Sequence, residues 1–462
     1  MDDDGLRQSP GHALSQRLAD VMALAPDALA IEYDGQWFSW RHLGDLAHRI
    51  ATLTAQYSPG RPANVGILLR NRPAHVATFL GVLLGGGTVV VINPARGDDR
   101  TRTDIGELAL PVIIGDATDL ATLVTPTTST TLITIANLAQ EPQVFPAATP
   151  SRRPADGRIA VAVRMLTSGT TGPPKRVDLT YDMLARSVLG PDGSRSPAPT
   201  EPRRSVAIVN APLVHIGGVF RVLQCIAEAR PFVLLSRFDL TQWADAVRKY
   251  RPRAVSLVPT ALRMVLHSDL CRDDLQSIRA VTSGTAPLSA EDADAFTEKF
   301  GVPVLTSYAA TEFGGGVAGW TLADHQQYWH TKRGSVGRAS LGARLRVVDN
   351  AGQPVHEDQP GLLEVKPGQM GSSADWIRTT DLARIDADGF LWILGRADQA
   401  IIRGGFKVMP DDVRAALESH LAVQGAAVVG RPHDRLGETP VAVVELRHPG
   451  STGVGELAAF LG

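Results

Sequence analysis

Cysteine is scarce in this sequence. Cys225 and Cys271 are the only two in 462 residues. That is too few for a disulfide framework or a cysteine-rich metal site, and it fits a reducing compartment, so a cytoplasmic location is expected. Neither sign of charge is in excess: 46 Lys and Arg stand against 48 Asp and Glu, a net −2. A nucleic-acid binder normally shows a basic balance or cluster, so no nucleic-acid partner is expected. The acidic start, Met1-Asp2-Asp3-Asp4, has neither the basic residues nor the apolar run of a signal peptide. Long hydrophobic runs are missing too. The most apolar region, residues 76–92, is interrupted by Gly81 and by Gly85-Gly86-Gly87, which suits helix, turn and buried strand better than a membrane span. Internal repeats and long low-complexity segments are likewise absent.

What is there is ordinary for a folded protein: 44% hydrophobic and 20% charged residues, over a length that exceeds what one core usually serves. Residues 12–23 have the spacing of an amphipathic helix. Residues 28–33 and 36–38 flank Asp34-Gly35, a hairpin signal, and Ser39 is placed to cap a helix running to about 56. From 65 onward strand (65–69, 88–92, 112–114) alternates with helix (74–84, 102–109), which predicts a parallel sheet covered on both faces. Residues 140–158 read as a connector, 161–166 as a buried strand, 179–189 as a helix and 190–204 as an exposed loop. The rhythm resumes with strands at 206–209, 232–235, 254–257, 279–282 and 304–308. Helices are expected at 240–250 and 290–300, with Asp239 and Ser289 at their N-caps. Short strands at 345–349, 361–365 and 390–393 predict a small β-rich unit, followed by a helix at 411–419, a strand at 426–429 and a helix begun at Glu456. The expected fold is α/β: a large domain over 1–394, made of two α/β subdomains and the β-rich unit, then a small, apparently truncated α+β domain over 395–462.

Thr167-Ser168-Gly169-Thr170-Thr171-Gly172-Pro173-Pro174-Lys175 gathers hydroxyls, glycines and one cation behind a predicted strand. Glycines let backbone N–H groups approach an anion, hydroxyls donate to it and lysine adds charge, so the stretch suits phosphate. An exposed Ser/Thr/Gly/Pro turn would have the same composition. The Walker pattern is excluded, because it needs glycine immediately before the lysine. Tyr308-Ala309-Ala310-Thr311-Glu312 follows at the carboxyl end of a predicted strand, where ligands of parallel α/β sheets bind. Thr311 and Glu312 there suit a phosphate oxygen and its Mg²⁺, or else a helix cap and a solvated acid. Ser283-Gly284-Thr285-Ala286 is a small-residue turn after another strand. Asp381 could accept both hydroxyls of a ribose diol, or could cap a turn. His215, at the start of an apolar helix, is either packed or part of a site.

Taken in order, these strings resemble the motifs of the adenylate-forming superfamily, which includes acyl-CoA synthetases, firefly luciferase and the adenylation domains of non-ribosomal peptide synthetases. The likeness covers about residues 27–448 and is nearest to acyl-CoA synthetases of the fatty-acid–CoA ligase type. It implies an ATP-dependent carboxylic acid–CoA ligase that forms an acyl-adenylate and then a thioester, with ATP, Mg²⁺ and CoA required. Thr167, Ser168, Gly169, Thr170, Thr171, Gly172 and Lys175 would hold phosphates, Thr311 the α-phosphate and Glu312 the metal. Ser283, Gly284, Thr285 and Ala286 would lie along the adenine, with Tyr308, Ala309 and Ala310 in the same nucleotide site. Asp381, in Arg378-Thr379-Thr380-Asp381-Leu382, and Arg396 would meet the ribose. Asp398 would be the pivot of a mobile lid, and Gly404-Gly405 would line the pantetheine tunnel. Pro212-Leu213-Val214-His215-Ile216-Gly217-Gly218 would set His215 at the carboxylate entrance. The implied catalytic set is therefore Lys175, Thr311, Glu312 and His215.

Gly217, Gly218, Ala310, Gly314, Gly315 and Gly316 take little volume and imply a roomy acyl pocket. No acidic residue stands near His215 to hold an α-amino group, which disfavours amino-acid substrates. Arg221 would meet an anionic substrate group, face solvent or pair with a carboxylate. The chain departs from the family where Ala309 and Thr380 replace glycine and where His433 replaces aspartate. The expected partners are a small carboxylic acid (fatty, aryl, alicyclic and sterol-derived acids stay open), ATP and CoA, and a homodimer is compatible with them. Three alternatives remain: loading of a carrier-protein phosphopantetheine, a nucleotide-binding homologue with weak turnover, and an unrelated α/β transferase. The second rests on a lysine that family lids carry in a Gly-Lys segment. None follows Gly437-Glu438 here, so slow adenylation with retained thioester transfer is expected of these 462 residues.

Overall fold

Seven strands between residues 64 and 180 assemble into one sheet. Its order is Gln143–Phe145, Thr131–Thr134, Val112–Gly115, Asn64–Leu68, Thr88–Ile92, Val161–Thr167 and Lys175–Thr180. The five inner strands are parallel, and the two edge strands run antiparallel to their neighbours. Thr88–Ile92 is buried at every position, as a strand covered on both faces should be. The helix Pro73–Leu84 covers it and is itself almost wholly buried, with Pro73 fixing its first turn. Gly81 lets this helix cross Trp40–Tyr57, since a Cβ there would lie 2.4 Å from the Ala47 carbonyl oxygen. The computed structural model describes residues 11–57, 63–148, 161–167, 175–190, 197–403, 406–433 and 435–461.

Two expectations fail in this sheet. Residues 140–158 are not simply a connector, because Gln143–Phe145 pairs with Thr131–Thr134. The helix expected from 179 starts at Tyr181, capped by the Thr180 hydroxyl, and the six residues before it form the edge strand Lys175–Thr180. Cross-strand charge pairing holds that polar strand. Arg164 lies opposite Asp178 and binds both its carboxylate oxygens, at 2.6 and 2.9 Å. Arg176 reaches Asp104 at 2.5 Å.

A second body is built on two further sheets. One has the order Ala207–Val209, Phe232–Leu234, Leu29–Tyr33, Gln36–Ser39. Its N-terminal hairpin turns on Asp34 (φ 49°) and Gly35 (φ 81°), both left-handed, as a two-residue turn requires. The other runs Ala254–Ser256, Ala280–Ser283, Val304–Ala310, Gly315–Gly319, Arg338–Ala339. Leu240–Tyr250 and Ala290–Phe300 pack here, with Asp239 accepting from the Gln242 N–H and Ser289 from the Asp292 N–H. The β-rich unit is an antiparallel meander of Arg344–Val348, Gly361–Lys366, Ile377–Ile385 and Leu391–Arg396. Its third strand was not expected. The C-terminal unit orders Phe406–Val408, Ile401–Arg403, Gly437–Leu446 and Val423–His433 in one sheet, with the helices Pro410–Glu418 and Val454–Leu461. Arg263 bridges it to the large body through Glu418 at 3.5 Å. Among the described residues, no helix is long and apolar enough to cross a membrane.

Candidate active site

Val304–Ala310 ends in the short 3-10 turn Thr311–Phe313. The chain then reverses through Gly314 (φ 73°) and Gly315 (φ 139°) into the antiparallel strand Gly315–Gly319. Phe313 is buried and anchors the turn, which leaves Thr311 half-buried and Glu312 exposed. Glu312 makes no hydrogen bond or ion pair with another described residue. Among the described residues no cluster of three or more metal-ligating side chains exists. A lone carboxylate suits Mg²⁺, which keeps waters and phosphate oxygens in its shell, better than metals that need a protein cage.

Three segments meet beside this turn. The Tyr308 hydroxyl donates to the Asp381 carboxylate. Burial, and then the charge of Asp381, raise the tyrosine pKa. Asp381 lies on Ile377–Ile385 directly opposite Arg396 of the neighbouring strand. Arg396 is held by Asp398, at 2.9 and 2.8 Å, and by the Thr380 hydroxyl at 2.6 Å. Its hydrogen bonds lower the Asp398 pKa. Tyr308, Asp381 and Arg396 thus form one cluster. Thr380, which stands where glycine was the family residue, ties the arginine to it.

That contact carries a prediction. Thr380→Gly should weaken ATP binding about 3- to 10-fold, because a hydrogen bond to a charged group is lost, and Thr380→Ser should restore it. Equal ATP affinity of wild type and Thr380→Gly in a titration would show that Arg396 needs no such support.

Ser283 closes the strand next to Val304–Ala310. It is 2% exposed, and its hydroxyl has no partner. Gly284 lies so near Ser307 that a Cβ would be 2.8 Å from its Oγ, and Thr285 is left-handed at φ 73°. The strained turn presents Thr285 and Ala286 to solvent beside the Tyr308 segment.

Lys175 opens its strand opposite Thr167, whose hydroxyl donates to the Lys175 carbonyl oxygen at 3.1 Å. Val161–Thr167 and Lys175–Thr180 are therefore antiparallel partners, and the residue after the stretch's end continues a strand rather than opening a helix. Ser168, Gly169, Thr170, Thr171 and Gly172 lie outside the described residues, as do Gly404 and Gly405.

His215 is the N-cap residue of Ile216–Ala227 and caps it without a side-chain bond. It stands exposed, and desolvation by the surrounding chain lowers its pKa. The small residues near it divide into two kinds. A Cβ on Gly218 would fall 2.2 Å from the Pro212 carbonyl oxygen, and one on Gly314 would fall 2.9 Å from Met183 Cε. Both serve the chain's own packing, which corrects the expectation that they make an acyl pocket. Gly217 does face open space, with nothing within 4 Å of a Cβ placed there. Arg221 is half-buried and donates to Thr282 Oγ1 at 3.2 Å and to Gln224 Oε1 at 3.1 Å. Gln369 was not foreseen. Its Nε2 donates to the Gly316 carbonyl at 2.7 Å while its Oε1 is buried without a partner, and nothing in the surrounding sequence signals that role.

Residues 18–372 match the AMP-binding enzyme family, and residues 412–461 match the AMP-binding enzyme C-terminal domain. The chain is 30% identical over 300 residues to 4-coumarate–CoA ligase-like 5 of Oryza sativa subsp. japonica, across 63% of this chain and 53% of that protein. To 4-coumarate–CoA ligase 1 of the same organism it is 28% identical over 436 residues, across 86% and 77%. The chain spans about half the length of several of the curated relatives it matches. Among solved structures it superimposes on o-succinylbenzoate CoA synthetase (MenE) from Bacillus subtilis, in complex with the acyl-adenylate OSB-AMP. The TM-score is 0.77 at 23% identity, covering 96% of this chain and 90% of that one. ATP-bound MatB from Rhodopseudomonas palustris gives 0.77 at 24% identity, covering 96% and 92%. At such identities the likeness is one of fold.

Proposed function

Because the chain belongs to the AMP-binding enzyme family, we propose that it is an ATP-dependent acid–thiol ligase that uses CoA. The observation that carries this reading is the meeting of Tyr308, Asp381 and Arg396 beside the Thr311–Glu312 turn at the carboxyl end of a sheet strand. Asp381, already oriented by Tyr308, offers its carboxylate to a ribose diol. Arg396 sits across the strand pair from it. Thr311 and Lys175 serve the phosphates, and Ser283, Gly284, Thr285 and Ala286 serve the base. A substrate carboxylate oxygen attacks the α-phosphorus, the bond from that phosphorus to the oxygen bridging the α- and β-phosphates breaks, and pyrophosphate leaves with that oxygen and the electron pair. A thiol then attacks the acyl carbon, and AMP leaves. Such chemistry needs positioned donors and positive charge more than a protein nucleophile, and these residues supply both. Glu312 would hold Mg²⁺, whose contribution is to neutralise phosphate charge. His215, whose pKa is lowered by desolvation, would border the carboxylate entrance.

The acid is proposed to be a compact aryl-bearing carboxylic acid. Coumarate and o-succinylbenzoate give their names to matched proteins, whereas fatty acids name none of those above. Gly217 leaves open space beside His215. Both cysteines are free, which agrees with a reducing cytoplasm.

The test is pyrophosphate release from ATP with a panel of hydroxycinnamic, benzoic, dicarboxylic and C8 to C16 fatty acids, followed by thioester formation on CoA or on a holo carrier protein. Aryl acids and CoA are expected to give the highest kcat/KM. Faster turnover of fatty acids would overturn the substrate class. Thioester on the carrier alone would overturn the acceptor, and no release with any acid would overturn the ligase reading.

A further inference from the structure

Between the β-rich unit and the helix Tyr181–Leu189 lies a cleft of about 410 Å³, none of whose walls belongs to the Tyr308 cluster. Arg186 from the helix and Arg344 and Lys366 from the meander line it, and among the described residues no carboxylate does. Arg344 and Lys366 are directly opposite partners on antiparallel strands, so both project from the same face. Like charges in that position destabilise a sheet. The next pair on that face is arranged the other way: Arg346 faces Glu364. Glu364 cannot relieve the first pair, because it is already shared between Arg346, at 2.8 Å, and Arg378, at 2.9 Å. Neither Arg344 nor Lys366 forms an ion pair with a described residue. Arg186 is fixed by a hydrogen bond to the Gln369 carbonyl at 3.3 Å, and the acid one turn before it, Asp182, is engaged by His12 at 3.0 Å. Gly371, left-handed at φ 86°, passes close to the Arg186 guanidinium, where a Cβ would lie 3.4 Å away.

An unrelieved like-charge pair, a third cation from a separate element and a concave space together describe an anion site whose anion completes the charge balance. We infer that this cleft binds a phosphate-bearing small molecule of about the size and charge of pyrophosphate. Two guanidinium forks and an ammonium match the oxygens of a phosphoanhydride, whereas a single carboxylate would leave both charge and volume unfilled. The site also touches the active region. Gln369, whose backbone holds Arg186, grips the Gly316 carbonyl with its side chain, so an anion here would stiffen the strand that follows Thr311–Glu312. The inference does not depend on which reaction the enzyme runs.

The test uses the full chain at low ionic strength, titrated with inorganic pyrophosphate and with inorganic phosphate by calorimetry. Thermal melts accompany each titration. Pyrophosphate could also reach Lys175, so Lys175→Ala is titrated in parallel. Wild type and Lys175→Ala are expected to share a pyrophosphate-binding component that Arg344→Gln and Lys366→Gln each weaken at least tenfold. Without anion, Lys366→Gln should melt no lower than wild type, because repulsion has been removed, and pyrophosphate should raise the melting temperature of wild type and of Lys175→Ala more than that of either glutamine variant. If Lys366→Gln does not fold, Arg344→Gln reads the same two quantities. Pyrophosphate affinity unchanged in the glutamine variants, binding lost in Lys175→Ala alone, or no binding to wild type would each overturn the inference. ATP competing for the component in Lys175→Ala would support the site with a nucleotide's phosphate tail as its source. Absence of competition would support it with free pyrophosphate.

Discussion

Lys175→Ala is expected to slow pyrophosphate release from ATP and acid by about 10² to 10³-fold, the usual consequence of removing one preorganised group that faces developing phosphate charge. The fold should not register the change. Lys175 is exposed at the first position of an edge strand, forms no ion pair with a described residue and is tied to Thr167 through its backbone carbonyl rather than its side chain. A surface substitution of this kind shifts stability within about 0.5 kcal/mol. The strand pair itself is held by Arg164 and Asp178, which the substitution does not touch. Melting curves and pyrophosphate release on the same preparation check the prediction. Wild-type rates in the variant would make the 167–175 stretch an ordinary turn.

Asp381→Ala should weaken ATP binding by about 10- to 100-fold. Hydrogen bonds to a charged acceptor contribute about 1.5–3 kcal/mol each, and 1.4 kcal/mol is one factor of ten. The same carboxylate orders its neighbours, so a control is needed. Tyr308→Phe removes the hydroxyl that donates to Asp381 but leaves the acid in place, opposite Arg396. A smaller loss, several-fold, is expected there. The diagnostic ligand is 2′,3′-dideoxy-ATP. Wild type should bind it poorly, and Asp381→Ala should bind it and ATP about equally. If wild type binds both nucleotides equally well, the ribose diol is not what Asp381 recognises.

Local signals carried much of this fold. Asp239 and Ser289 stand where N-caps belong, and the helices behind them run as their spacing indicates because each side-chain oxygen satisfies a first-turn N–H. The Asp34-Gly35 turn was legible for the same reason: left-handed backbone selects its residues. Two of the strands that escaped notice are polar ones stabilised from a distance. Lys175–Thr180 contains two cations and an acid, and only the partner strand, with Arg164 facing Asp178, makes it a strand. Ile377–Ile385 carries Arg378, Thr379, Thr380 and Asp381 in succession, so its apolar alternation is lost to the very residues that form the site. Motif order brought Tyr308, Asp381 and Arg396 to attention, but that Tyr308 donates to Asp381, and Arg396 to the Thr380 hydroxyl, depends on strand register. Gln369 lay beyond any local signal, since its partner Gly316 is remote in the chain. Glycine counting misled for a physical reason: the missing Cβ of Gly218 makes way for the Pro212 carbonyl, not for a ligand.

The hairpin at the N-terminus has a consequence for biosynthesis. Leu29–Tyr33 is an interior strand of its sheet, and its parallel neighbour is not close in sequence: Ile31 pairs with Phe232 and Glu32 with Val233. Residues 34–231 must be made before that ladder can close. The first helix and hairpin emerge early from the ribosome, yet one edge of the hairpin keeps its backbone donors and acceptors unpaired until more than half of the large body has followed. During that interval the seven-stranded sheet, whose strands all fall between residues 64 and 180, can already assemble from neighbouring segments. Translation order therefore favours the sheet that carries Lys175, and the strand Leu29–Tyr33 is among the last to complete its pairing.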